Sequence, residues 1–342
     1  MSGYSFQSHP LEWLDEAAAG DGGVRWMSPH QLCVLDVDLA RALLRNEDGR
    51  LVDHSDFFGR RDKALRPRAA QIKLAREAHA LVQSHLRSVD FAACVESLGA
   101  RSQWPKAGNA LLLEIMRPIL ARPSRSPAFH AALDRVARDR ILGRHDRRKG
   151  RLRRSIDRLR FVGAVLKERR RASPGEGEPD LFDVIVGSEG HMGDEAMTHL
   201  YAAFIFALVG SVGFALGWSV LLAVRHGRTD HRSADIVREA LRLYPVAWLL
   251  ERNPAEAVEV AGEPVSSSQW IVISTYAIQR RARYWESPAE FLPERWQARI
   301  DRTAWLPFGA GPQSCIAASL SIEIPARLLD RIFAREVSVE MG

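Results

Sequence analysis

The residue best equipped for chemistry in this 342-residue sequence is Cys315, which ends the run LPFGAGPQSC. A thiolate is a strong nucleophile and a soft metal ligand. It is favoured over the thiol where backbone N–H groups or a helix N-terminus face the sulfur. The run before it supplies Gly309, Gly311 and Pro312, and glycine permits unusual dihedrals and close passage of backbone past a flat ligand. The apolar stretch that follows predicts a helix starting near Ala317. On its own such a cysteine reads more readily as an inert buried thiol at a helix start. Cys33 and Cys94 are far from it in sequence, which argues against a disulfide framework and against a paired-cysteine zinc site. The eleven histidines show no ligand spacing.

Two further pieces stand upstream of the cysteine. In REALRLYP, Glu239 and Arg242 fall on one helix face at i, i+3. Ala240, Leu241, Leu243 and Tyr244 surround them, so the pair reads as buried and needs further partners. Arg295, in FLPERW, offers one. The order EALR, FLPERW, FGAGPQSC closely resembles the signatures of the cytochrome P-450 family. These are an E-x-x-R helix, a Pro-Glu-Arg-Phe-like segment and a ligand loop F-G-x-G-x-R-x-C-x-G. The resemblance covers about 195–335. It extends more loosely to VLDVDLARALLRN, which is similar to the family's early sheet and helix.

The resemblance implies haem b (iron protoporphyrin IX), with Cys315 as the metal ligand on the proximal side. Phe308 would pack beside the sulfur, Gly309 and Gly311 would let the loop turn, and Arg252 would meet a propionate. Glu239, Arg242 and Arg295 would form the structural triad behind the loop. The apolar segment 201–224 would be the long distal helix. The departures from the family concern the reaction. An acid and an alcohol that hand protons to dioxygen belong in the distal helix, but aligning on Gly210 puts Val212 and Gly213 there. Ser211 lies beside them on a diverging face. Gln313 stands where Arg or His meets a propionate, Ala317 replaces the last glycine of the loop, and Gln279 stands where His is common. Gly210, Gly213 and Gly217 share a face, suited to a flat macrocycle or to close helix packing.

The elements that must position these residues are mostly helical. QLCVLDVD alternates as a strand does, and DLARALLRN reads as a short helix. Apolar residues recur at three- and four-residue spacing in 67–98, 107–121 and 127–171. ASPGEGEPD is a loop, and DLFDVIVG is a short helix or strand. GDEAMTHL opens the long apolar helix, with Asp194 as N-cap. Pro245 stops the helix DIVREALRLY. VEVAG and WIVISTYAI read as strands. No β-α alternation appears, which argues against a doubly wound sheet. The expectation is a mainly α fold with minor β, of the cytochrome P-450 type, as one haem domain over 1–342. The chain is short for that family, so some peripheral elements are expected to be shortened or missing.

Hydrophobic residues make up 46% and charged residues 26%, ordinary for a globular chain. The net charge is +6, and the excess gathers in Asp134–Arg171. Nucleic-acid motifs and interleaved aromatics are missing there, which leaves a solvated helix face or a docking surface for an acidic protein. Tyr201–Val224 has no charge over 24 residues. That is long enough to span a membrane, yet polar helical sequence flanks it, and a helix apolar all round also suits a soluble core. The N-terminus lacks the basic start and apolar run of a signal peptide or anchor. A cytoplasmic protein engaging neither membrane nor nucleic acid is expected.

The reading is a haem-thiolate oxidoreductase that hydroxylates or oxidatively couples a small organic or peptide-derived substrate in secondary metabolism. Its partner would be a ferredoxin-type electron donor, whose acidity the basic excess suits. Two alternatives stand beside it: a peroxide-driven peroxygenase, and a non-catalytic haem-binding partner protein.

Overall fold

The computed structural model describes residues 5–52, 68–98, 101–142, 151–171, 178–188, 192–335 and 338–341. In chain order the first elements are α1 (Pro10–Ala19), β1 (Val24–Ser28), β2 (Gln31–Val34), α2 (Val37–Arg45), α3 (Arg68–Ser88), α4 (Phe91–Glu96), β3 (Arg101–Trp104) and α5 (Lys106–Leu120). Next come α6 (Pro127–Val136), a π-helical stretch Ala137–Leu142, α7 (Arg151–Arg171), α8 (Leu181–Val186), α9 (Asp194–Ile205), a second π-helical stretch Phe206–Ser211, α10 (Val212–Arg225) and α11 (Ser233–Leu243). The strands β4 (Leu250–Arg252), β5 (Val258–Val260), β6 (Glu263–Val265) and β7 (Trp270–Ile273) lead to α12 (Thr275–Ile278), α13 (Leu320–Phe333) and β8 (Ser338–Met341). The chain divides into two compact units, Met1–Asp53 with Leu222–Ala318, and His54–Leu221 with Ser319–Gly342.

The first unit is built on a four-stranded sheet in the order β1-β2-β7-β4. β2 runs parallel to β7 and antiparallel to β1, with Leu32 opposite Ile271 and Val34 opposite Ile273. Both inner strands are short and largely buried, as central strands are, and β7 is rich in β-branched residues. The loop into α2 is fixed by Asp36, whose carboxylate accepts the Leu39 N–H at 2.9 Å. Asn46 closes the helix at φ 50°. The apolar core joins these strands and α2 to Trp285, Trp296, Leu306 and Ala310. One expectation fails locally. The apparent strand WIVISTYAI ends at Ile273, and Ser274 then caps the helical turn α12 by accepting the Ala277 N–H at 3.1 Å.

Among the described residues, the second unit is helical apart from the parallel pair β3–β8. Phe129, Phe161 and Phe182 gather around Tyr201, whose hydroxyl donates to the Leu120 carbonyl at 2.8 Å. Beside them lies a buried ionic cluster. Arg125 reaches Asp180 at 2.8 Å and also Asp183, and Glu168 takes the Ser126 hydroxyl at 2.6 Å. Asp194 is not the N-cap of α9. Gly193 holds that position, and Asp194 is a first-turn acid near the positive helix end.

The helix Asp194–Arg225 is long and apolar enough to cross a membrane, but 67% of its most apolar stretch is buried within the protein. Burial inside the protein accounts for its composition.

Candidate functional site

The three signature pieces meet in the first unit. The Glu239 carboxylate, fully buried, accepts two bonds from Arg242, at 3.0 and 2.8 Å. Its Oε1 also accepts from Arg295 Nε at 3.0 Å and the Leu292 N–H at 3.1 Å. Its Oε2 takes the Trp296 indole N–H at 2.9 Å. Arg242 spends its remaining donors on the carbonyls of Gln279, Pro288 and Glu290, at 3.0, 2.7 and 2.8 Å. No charge in the pair is left without hydrogen bonds, which is the condition for keeping such a pair in a core. Burial nevertheless pulls the guanidinium pKa of Arg242 below its usual value, with Glu239 opposing. The sequence-predicted triad is therefore assembled. It includes a fourth member, Trp296, for which the sequence carries no signal beyond an indole next to Arg295.

Gln279 ties this centre to the ligand loop. Its amide donates to the carbonyls of Leu241 and Arg242, at 3.0 and 2.9 Å, and accepts the Leu306 N–H at 2.7 Å. It has no solvent exposure. Reading the residue only as a departure from His misses this bridge. An aromatic series runs the same way, each ring packed on the next: Trp285, Trp296, Trp305, Phe308, with centroid spacings of 5.9, 5.1 and 5.6 Å.

The loop itself is closed on one side by the Cys315 N–H, which donates to the Phe308 carbonyl at 3.0 Å. Gly309 and Gly311 both lie at φ +69°. Gly311 has a second reason to be glycine, since a Cβ there would stand 2.8 Å from the Leu44 carbonyl oxygen and 2.9 Å from Arg45 Cα at the end of α2. Cys315 is a free, exposed thiol, and Cys33 and Cys94 are free as well. The helix expected near Ala317 starts later, at Leu320. The N–H aimed at the sulfur belongs instead to the turn residue Ala317. Partial desolvation raises the Cys315 pKa, and that single N–H opposes the rise. A metal bound at this sulfur would have to displace the thiol proton. Arg252 lies on β4 with Nη1 on the Glu251 carbonyl at 2.8 Å. Gln313 ends a short 3₁₀ turn two residues before the cysteine.

These features fit a flat metal-bearing group. The loop offers one accessible sulfur with an N–H pointing at it, and the buried indole N–H of Trp305, whose ring packs on Phe308, has no acceptor in the protein. Among the described residues no cluster of three or more His, Cys, Asp or Glu could hold a metal ion instead.

The segment 210–213 lies in the second unit, where the helix widens into the π-helical stretch Phe206–Ser211. Such widening frees carbonyls from their usual donors. Asn109 of α5 supplies replacements, its Nδ2 donating to Val209 and Gly210 at 2.9 and 3.2 Å. Of the two readings of the small-residue strip, close packing is the one found. A Cβ on Gly213 would stand 2.9 Å from Asn109 Cγ, and one on Gly217 2.9 Å from Pro105 Cβ. A Cβ on Gly210 would press the Phe206 ring at 3.0 Å. Val212 is buried and Ser211 half-buried. Asn109 is a functional candidate that the sequence reading missed, although a lone amide among the leucines of α5 is a visible signal.

Residues 234–322 match the family model described as Cytochrome P-450. Among curated proteins the chain is 40% identical over 90 residues to cytochrome P-450 3A5 of Homo sapiens, covering 25% of this chain and 18% of that one. It is 28% identical over 225 residues to cyclooctat-9-en-7-ol 5-monooxygenase of Streptomyces melanosporofaciens, covering 56% and 47%. The matched part thus spans less than half the length of these relatives. In structure the chain is similar to a mutant of P-450 EryK in complex with erythromycin B, with a TM-score of 0.73 at 20% identity over 98% of this chain and 90% of that one. It is also similar to a thermophilic cytochrome P-450 from Sulfolobus tokodaii, with a TM-score of 0.71 at 17% identity over 94% and 91%. A third likeness is to HmtN, a post-tailoring hydroxylase involved in himastatin biosynthesis, with a TM-score of 0.70 at 18% identity over 95% and 89%.

Proposed function

We propose that the chain is a member of the cytochrome P-450 superfamily, whose family model matches residues 234–322 and whose fold it shares, and that it is a haem-thiolate monooxygenase acting on a small organic or peptide-derived molecule. One observation carries the reading. The buried Glu239–Arg242–Arg295 centre is hydrogen-bonded through Gln279 to the base of a loop whose exposed thiol is Cys315. The proposal takes the whole chain as one haem domain. It includes haem b as cofactor, a cytoplasmic location and an acidic ferredoxin-type electron donor. The substrate class is supported by two similar proteins, the cyclooctatenol monooxygenase and the himastatin hydroxylase.

Bound through Cys315, the haem would supply activation of dioxygen or peroxide at its iron, and thiolate donation is the ligand property that favours O–O cleavage. The protein's part is to hold the sulfur and tune it. The Ala317 N–H favours negative charge on Sγ, and because Cys315 would have to give up its thiol proton to ligate the iron, haem binding would weaken as pH falls. Phe308 fixes one side of the loop through its edge contact with Trp305. Arg252 and Gln313 are the propionate candidates, the second a neutral donor in place of a cation.

Val212 and Gly213 carry no titratable or hydroxyl group, and Asn109 fills the space beside Gly213. Protons would therefore come from water or from a hydroxyl of the substrate. This favours a second reading, a peroxide-driven peroxygenase, in which oxidant and protons arrive together. The non-catalytic haem-binding reading remains the alternative against which turnover is measured.

The decisive experiment is the absorption spectrum of the ferrous protein under carbon monoxide. A strongly red-shifted Soret band that disappears in Cys315→Ala is expected. Haem bound without that band would overturn the thiolate assignment. Turnover with peroxide and with a ferredoxin system then separates the two catalytic readings, and turnover with neither leaves a haem-binding protein.

A further inference from the structure

The proposed function leaves the Arg-rich stretch unused, and its described part lies on α7. This helix carries nine cationic and two acidic side chains, a net of +7, against +6 for the whole chain. The rest of the sequence is therefore close to neutral. Phe161, Val165 and Glu168 are buried and define the inner face of α7. With 3.6 residues per turn, Ile156, Leu159, Gly163, Lys167 and Arg170 fall on the opposite face. Leu159 is 70% exposed and Ile156 39%. A Cβ on Gly163 would meet nothing within 4 Å. Arg160, Lys167, Arg170 and Arg171 are exposed around them.

We propose that this outer face of α7 is a docking surface for an acidic partner protein that presents carboxylates around an apolar contact. The arrangement of an aliphatic centre with a charged rim is that of a protein interface. Other occupants fit less well. A second copy would bring +7 against +7. A nucleic-acid duplex would use the cations but not the aliphatic pair, and the aromatic residue of this helix, Phe161, points inward. A bilayer would take up the larger apolar face of an amphipathic helix, and here that face is already buried against the protein. The surface does not depend on the haem assignment.

The test uses the full chain and fluorescence anisotropy with three probes. These are a labelled helix-forming peptide bearing Glu around a Leu stripe, a labelled short DNA duplex, and labelled vesicles of phosphatidylcholine with phosphatidylserine. Tightest binding to the peptide, weakened by salt, is expected. The triple variant Lys167→Glu, Arg170→Glu, Arg171→Glu should abolish it. Leu159→Ser should weaken it by about tenfold with its salt dependence unchanged. These positions are exposed, and unaltered far-UV circular dichroism checks the fold of each variant. No peptide binding, equal or tighter binding to duplex or vesicles, or peptide binding indifferent to both variants would overturn the proposal.

Discussion

One buried amide, Gln279, satisfies two carbonyls at the end of α11 and the N–H of Leu306. Replacing it with Leu leaves three buried polar groups unpaired, each worth about 1–3 kcal/mol of desolvation at most. Gln279→Leu should lower the urea midpoint and shift or broaden the Soret band, while Gln279→His should restore part of both. A midpoint change with an unaltered spectrum would mean that the residue supports the fold but not the loop. The Glu239 pair is less forgiving. Glu239→Ala strands the Arg242 charge in the core, and removing one partner of a buried pair costs about 3–5 kcal/mol. Denaturant unfolding should show a loss of that size. The triad was legible in the sequence because its three residues carry charge in apolar surroundings at fixed spacing. The roles of Trp296 and Gln279 were not legible, because a neutral side chain's hydrogen-bond partner is set by segments far away in sequence, here 38 and 57 residues.

At the scale of elements, α10 and α5 approach each other through Gly213 and Gly108, with Asn109 filling the gap. A side chain at Gly213 would overpack this crossing, at a cost of about 1–3 kcal/mol. Gly213→Ala should lower the thermal midpoint, and adding Asn109→Ala should return part of the loss, a coupling that a double-mutant cycle reads directly. The same geometry predicts that Gly213→Thr, the exchange that would restore the family's alcohol, destabilises the helix before any proton transfer can be tested. Helical periodicity made the shared face of the glycines legible, but not what lies against it. The start of α13 was misplaced for a related reason. Apolar periodicity begins soon after Cys315, yet the turn that aims the Ala317 N–H at the sulfur uses those residues first.

The whole molecule carries an acid-sensitive element in the Arg125 cluster. Burial works to raise the Asp180 pKa, but the hydrogen bonds from Arg125 and the Arg122 N–H outweigh it and hold the carboxyl below its usual range. A depressed folded-state value means the stabilisation is fully present above the unfolded carboxylate range, about pH 4, and is lost as pH falls through the lower folded value. Stability measured against pH should therefore drop below about pH 4, and Asp180→Asn should flatten that drop while lowering stability at neutral pH. A variant curve parallel to the wild type would assign the acid sensitivity elsewhere.

The pairing of β2 with β7 also sets a timetable during synthesis. Gln31 must wait for Trp270, roughly 240 residues later in the chain. At about 5–20 residues per second, the ribosome needs about 12–48 s to deliver that partner. Through this interval the buried edge formed by Leu32, Cys33 and Val34 is unpaired, the kind of edge that recruits other strands. Slower elongation or crowded expression should thus drive nascent chains into aggregates before the cysteine loop is ever translated, and chaperones that shield an apolar strand edge should raise the soluble yield.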